Sequence, residues 1–226
     1  MILASIKRII TDHKKIRMAG IIFLLVLFPA LILFWNALPD PLFDEPFSAV
    51  ILDRDGKLLG ASIASDDQWR FPPDAELPEK FVQAITCFED RRFFSHPGVD
   101  PLAVARAVWL NVRKGRIASG ASTITMQVIR LSRKGQPRTF PEKLIEMVMA
   151  LRLELSLSKK EILALYASHG PFGGNVVGLQ AAAWRYFGRG PERLSWAETA
   201  MLAVLPNAPG LIHPGKNRRR DRKSTL

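Results

Sequence analysis

Glu89 and Asp90 close an apolar run in which Phe81, Ala84, Ile85 and Phe88 recur at helical spacing. An aromatic pair, His96 and a Pro97-Gly98 turn follow within Cys87-Phe-Glu-Asp-Arg-Arg-Phe-Phe-Ser-His-Pro-Gly-Val-Asp100. A carboxylate at the end of an apolar helix can have its pKa raised toward neutrality by burial, which suits a general base. A solvated acidic pair at a helix end has the same local sequence, so residues downstream decide between the two. Gly120-Ala-Ser-Thr-Ile-Thr-Met-Gln127 is a loop of small residues whose backbone can approach a ligand closely. Arg130 and Arg138 come next, then Lys143 and Glu146, which lie three apart and share a helical face near its N-terminus. A helix N-terminus beside Arg138 forms an anion site, with a pyrophosphate as the natural candidate. An ordinary surface pair of Lys143 and Glu146 is the plain alternative.

Two further patterns are set aside. Ser156-x-x-Lys159 matches the start of a penicillin-binding transpeptidase site, but no Ser-Asp-Asn or Lys-Thr-Gly follows. It falls at a helix junction where Ser158 caps. His96, His169 and His213 are scattered without ligand spacing, so no metal site is predicted.

The elements that must position these residues are mainly helical. Asp100-Pro101 caps a helix through Trp109 and Val112 that stops near Gly115. Thr139-x-x-Glu142 reads as a capping box opening a helix to about Leu157, and Ser158-x-x-Glu161 opens another. Gly178 to Tyr186, with Ala181-Ala182-Ala183, predicts a closely packed helix, and Ser195-x-x-Glu198 caps a last one ending at Pro206. Ser48 to Ser62 reads as a β-hairpin around Asp55-Gly56, and Asn36 to Phe47 as a stiff spacer rich in Pro and Asp.

A chain of 226 residues holds one sizeable domain plus accessories. Its apolar content of 48% has a location: Met18 to Pro39 carries no Lys, Arg, Asp or Glu. About 21 helical residues reach roughly 32 Å, enough to cross a bilayer's hydrocarbon core. Lys7, Arg8, Lys14, Lys15 and Arg17 precede it against Asp12 alone, which predicts a cytoplasmic N-terminus and an extracytoplasmic remainder. Trp35 fits an outer interfacial anchor. The rival, a cleaved signal peptide, has a shorter apolar region and a small-x-small site. Residues 1–17 carry a net +4 and the tail from Lys216 a net +5, which leaves only +2 of the total +11 for the body. Nucleic-acid binding is therefore not predicted. The tail reads as a solvated basic end or a contact for anionic lipid headgroups. Cys87, the single cysteine, excludes an internal disulfide and is expected to pack inside its helix.

From about Leu77 to Pro214 these segments, in their order, resemble glycosyltransferase family 51, the peptidoglycan glycosyltransferases of class A penicillin-binding proteins. The matching residues are Glu89-Asp90-x-x-Phe93-x-x-His96-x-Gly98, Gly120 to Gln127, Lys143-x-x-Glu146, Lys160-Glu-Ile-Leu-x-x-Tyr166, Gly178 to Gly188, and Leu194-Ser-x-x-Glu198 to Pro206. Met126, Pro171-Phe-Gly-Gly174 and Trp69-Arg-Phe-Pro72 look like the penicillin-binding protein 1C branch. The resemblance implies a mainly α, lysozyme-like domain over 77–214, preceded by a basic segment (1–17), a transmembrane anchor (18–38) and a spacer with a small β-hairpin (39–76), and followed by a basic tail (215–226). It implies polymerisation of lipid II into β-1,4-linked glycan outside the cytoplasmic membrane, with undecaprenyl pyrophosphate released. By family position Glu89 is the general base on the acceptor 4-hydroxyl and Glu146 the second catalytic carboxylate. Arg130, Arg138 and Lys143 line the phosphate site, Ser122, Thr123 and Gln127 shape the cleft, and Asp90 and Phe93 belong to the substrate-binding set. The implied partners are lipid II, the lipid-linked glycan chain, the membrane and other cell-wall synthesis proteins. No cofactor is essential, and a divalent cation is compatible. The segment around Phe93 and Trp109 is expected to dip toward the lipid tails.

Three segments depart from the family pattern. Ala167-Ser168 stands where Leu-Asn is usual, Glu142-Lys143 where Arg-Lys is usual, and Gly120-Ala121-Ser122-Thr123 where Gly-Gly-Ser-Thr is usual. The chain ends at Leu226, where a class A protein continues into a transpeptidase. It therefore reads as a monofunctional-like enzyme, a shortened gene product or a fragment. The second reading is a membrane-anchored, catalytically weak scaffold that binds lipid II, prompted by Ala167-Ser168. A glycan-cleaving hydrolase of similar shape has no use for Arg130, Arg138 and Lys143 around a pyrophosphate.

Overall fold

The computed structural model describes residues 2–73, 76–116 and 120–207. The expected basic tail, 215–226, and the expected domain end at residue 214 lie outside the described residues. Residues 1–39 and 40–226 form two separate compact units. The first contains helix α1, Ile2–Trp35, with Pro29 inside it. Its Arg17–Trp35 segment has 19 residues and a mean hydropathy of 2.6, long and apolar enough to cross a membrane by length and composition.

The second unit is mainly helical, as the sequence predicts. Its hairpin joins β1 (Val50–Leu52) to β2 (Leu58–Ala61) in antiparallel register. Asp53 closes the turn: its Oδ1 accepts from the N–H groups of Asp55 (2.9 Å) and Lys57 (2.7 Å), and Gly56 supplies a φ of 76°. A second pairing was not legible in the sequence. β3 (Trp69–Arg70) runs parallel to β4 (Val176–Val177) and ties the residues before the helices to the loop that follows His169.

Among the described residues seven helices follow: α2 (Glu79–Glu89), α3 (Pro101–Lys114), α4 (Ile124–Ser132), α5 (Phe140–Glu154), α6 (Lys159–His169), α7 (Leu179–Phe187) and α8 (Trp196–Val204). α4 lies at the centre, packed against α5 and α6, with Ile124, Met126, Val128 and Ile129 wholly buried. α2 packs along α8 through Phe81 and Ile85. The small residues Ala181, Ala182 and Ala183 of α7 are buried, as expected.

Local chemistry sets the helix ends. Asp100 Oδ1 accepts from Leu102 N–H and Ala103 N–H, both at 3.0 Å, and Gly115 ends α3 at a φ of 60°. Burial alone would raise the Asp100 carboxyl. Hydrogen bonds from Ala103 N–H and Arg92 outweigh it and hold Asp100 below the usual carboxylate value. Full capping boxes start α6 and α8, as predicted. At α5 only half the expected box forms. Thr139 accepts from Glu142 N–H, but the Glu142 carboxylate takes the Arg133 guanidinium instead, at 2.6 and 3.1 Å. α5 stops at Glu154 rather than near Leu157, and α8 gives way after Val204 to a 3₁₀ turn, Leu205–Asn207.

One expectation for α2 fails. Cys87 is exposed rather than packed, because two residues beyond buried Ile85 it lies about 200° around the helix. Phe88 shares the face of Phe81 and Ile85 yet is exposed, since the last turn of α2 overhangs an open cleft.

Gly98 has a φ of 91°, and a Cβ there would stand 2.7 Å from the Ala150 carbonyl oxygen. Gly98→Ala is expected to lose roughly 2–4 kcal/mol of stability in urea unfolding. An unchanged midpoint would mean that the Pro97-Gly98 turn is not fixed against α5.

Candidate active site

Glu89 is the last residue of α2, half-buried, and its Oε2 accepts from Gln127 Nε2 at 2.8 Å. Gln127 lies one turn into α4, so the carboxylate is held by a side chain of the most buried helix. The neighbouring Asp90 turns inward and is buried. His96 Nε2 stands 3.0 Å from both of its oxygens, and the Ile124 N–H donates to Oδ2 at 3.1 Å. Gly98 N–H donates to His96 Nδ1, so the ring proton sits on Nε2, facing Asp90. Thr123 caps α4 by accepting from Met126 N–H and donates its own hydroxyl to Gly98 O at 2.5 Å. The acidic pair thus divides: Asp90 fixes the loop to α4, and Glu89 is left at the surface of the clefts.

Glu89 lines two clefts. One, of about 490 Å³, is lined by Phe88, Ser122, Gln127, Arg130, Arg138 and Tyr166, with Pro171 and Pro206. The other, of about 620 Å³, has Arg91, Arg92 and Arg106 beside the predicted Asp90 and beside Asp100, Ser122 and Thr123. Phe88, Glu89, Gly120 and Ser122 belong to both, so the carboxylate stands on the ridge between them. Arg130 and Arg138 on one side and Arg91 and Arg106 on the other bring positive charge to the clefts, while Arg92 is taken up by Asp100. Arg130 is held by Glu146 through two bonds of 2.7 Å and reaches Ser122 Oγ at 3.3 Å. The Glu146 hydrogen bonds raise the Arg130 pKa further, outweighing burial.

The other predicted site residues are placed as follows. Ser122, Thr123, Gln127, Arg130 and Arg138 meet Glu89 around the clefts. Glu146 is buried behind Arg130 and lines neither cleft. Lys143 is half-buried one turn earlier on α5 and also lines neither. Phe93 is wholly buried, with Lys159 Nζ 4.4 Å from its ring centroid, so it supports the loop from below. Ser156 and Lys159 are structural, as read: Ser156 Oγ bonds the Arg152 carbonyl, and Lys159 Nζ donates to His96 O and Glu154 at 2.7 Å. Among the described residues, no three His, Cys, Asp or Glu side chains group so as to hold a metal ion.

Sequence reasoning missed Arg91, Arg92, Arg106 and Tyr166 as cleft residues. Arg91 and Arg92 directly follow the acidic pair, which was a usable signal. Arg106 gave none, because its place in the cleft beside Glu89 depends on how α3 packs.

The Arg130–Glu146 pair is expected to couple. Glu146→Leu leaves a half-buried guanidinium without its partner, whereas Arg130→Met with Glu146→Leu removes both charges. A double-mutant cycle in urea should give a coupling of roughly 1–3 kcal/mol. A value near zero would mean that the pair does not hold Arg130 in place.

A family model described as Transglycosylase matches residues 55–225. Penicillin-binding protein 1C of Escherichia coli (strain K12) is 44% identical over 179 residues, 79% of this chain and 23% of that protein. Penicillin-binding protein 1A of Aquifex aeolicus (strain VF5) is 35% identical over 209 residues, 89% of this chain and 28% of that protein. A 2.6 Å crystal structure of penicillin-binding protein 1A from Haemophilus influenzae matches with a TM-score of 0.41 and 21% identity, over 81% of this chain and 17% of that one. The chain spans about a quarter of the length of the two curated relatives. With the family model matched from the β-hairpin onward and 44% identity to one relative, the chain belongs to the transglycosylase family.

Proposed function

We propose that the chain is a peptidoglycan glycosyltransferase that polymerises lipid II into β-1,4-linked glycan. The observation that carries this reading is the position of Glu89 on the ridge between two clefts, each lined by arginines. A polymerase must hold two lipid-diphosphate substrates head to head, and both bring negative charge. A hydrolase needs one glycan and a water, and gains nothing from cations on both sides.

In this reading the growing chain lies in the Arg130–Arg138 cleft and the incoming lipid II in the Arg91–Arg106 cleft. Glu89 takes the proton from the acceptor 4-hydroxyl as that oxygen attacks the anomeric carbon of the donor sugar. The bond from that carbon to undecaprenyl pyrophosphate breaks with inversion. The electron pair leaves on a phosphate oxygen, so the departing group needs positive charge more than a proton. Arg138, exposed at the rim, and Arg130, braced by Glu146, supply it, and Lys143 lies on the same flank of α5. Glu146 then acts by positioning Arg130. Gln127 orients the Glu89 carboxylate.

The Arg17–Trp35 segment would anchor the chain in the cytoplasmic membrane. By the positive-inside rule the basic residues before it would put the N-terminus inside and the catalytic unit outside, where lipid II and cell-wall synthesis partners would be met. Ala167 and Ser168, which prompted the scaffold reading, are buried in α6 and line neither cleft. The departure therefore falls on packing rather than on the site.

Purified full-length chain in detergent should convert labelled lipid II to long glycan, releasing one undecaprenyl pyrophosphate per bond formed. Arg138→Ala should slow this roughly 10- to 100-fold with unchanged thermal stability, since the side chain is exposed. No polymer from folded wild-type chain would refute the assignment.

A further inference from the structure

We propose that the Tyr166 hydroxyl donates a hydrogen bond to an oxygen of the bound glycan donor in the Arg130–Arg138 cleft, making it a substrate-contacting residue of the transfer. Tyr166 stands in the third turn of α6 and is 1% exposed. It lines the cleft that contains Glu89, Arg130 and Arg138. Among the described residues its Oη has no hydrogen-bond partner. Buried phenols normally find one, because an unmade bond costs the full desolvation of the O–H. The chain's other tyrosine behaves in that way, with Tyr186 Oη donating to Phe172 O at 2.8 Å.

The two sides of the ridge differ in this respect. Tyr166 lines the Arg130–Arg138 cleft and not the Arg91–Arg106 cleft. An unpartnered hydroxyl on one side only fits a contact to the donor, whose sugar and phosphate groups present oxygen acceptors. Burial, and then the nearby Glu89 charge, push the phenol well above its ordinary pKa. The group therefore keeps its proton through the working pH range and serves as a neutral donor. Around it, Gln127 is engaged with Glu89, and Arg130 with Glu146 and Ser122. Tyr166 supplies hydrogen-bonding capacity that the fold itself does not use.

This inference rests on the glycosyltransferase reading, and one experiment separates the two. Wild type and Tyr166→Phe, both full-length in detergent, are compared for lipid II polymerisation and for thermal unfolding. The ring is kept, so the packing of α6 is unchanged. The expected result is a fall of about 10- to 100-fold in kcat/KM with an unfolding temperature equal to or above that of wild type. A loss mainly in kcat assigns the contact to a leaving phosphate oxygen, and a rise mainly in KM assigns it to a sugar oxygen. Wild-type rates in Tyr166→Phe overturn the proposal. So does a lowered unfolding temperature, which means that the hydroxyl serves the fold. Absence of polymer from the wild type refutes the glycosyltransferase reading itself, and this inference falls with it.

Discussion

The buried carboxylate of Asp90 is the contact on which the site depends. It faces His96 Nε2 at 3.0 Å and accepts from the Ile124 N–H at 3.1 Å, the first turn of α4. A helix N-terminus has unpaired N–H groups and a partial positive charge, so a carboxylate there is well placed. Asp90 directly follows the last residue of α2. By pinning itself to α4 it fixes the direction of the preceding side chain, and Glu89 meets Gln127 one turn along the same helix. Two adjacent carboxylates thus perform opposite tasks, one satisfied inside and one presented outside.

The support continues beneath the loop. Lys159 joins the His96 carbonyl to Glu154, and Thr125 donates to the same Glu154 oxygen at 2.6 Å. Phe93 lies wholly buried under the Lys159 ammonium. Gly98, where no side chain fits, lets the turn press against α5 while Thr123 bonds its carbonyl. α4, α5 and α6 therefore reach the clefts already fixed to one another, so the groups that face solvent need little ordering of their own.

Much of this was legible in the sequence, because caps and periodicity are local. Asp100-Pro101, Ser158-x-x-Glu161 and Ser195-x-x-Glu198 start helices where their chemistry requires it. Glu89 and the Gly120–Gln127 loop could be singled out from residue type and order. What stayed hidden depends on how distant surfaces meet. The helical face of Phe81 and Ile85 includes Phe88, yet only the structure places that last turn over open space. Phe93 and Glu146 have the residue types of a site and occupy the layer behind it, while Arg106 joins Glu89 in lining a cleft from another helix. Glu142 fits a capping box, but Arg133 offers a charge-assisted bond that wins over a backbone N–H.

The most direct measurement is lipid II polymerisation by Glu89→Gln, which keeps shape and removes the basic carboxylate. If Glu89 takes the acceptor's proton, a folded Glu89→Gln chain should lose roughly 100-fold or more of the rate while still binding lipid II. Turnover near that of wild type would mean that another group accepts the proton, and that the ridge between the clefts is not the reaction centre.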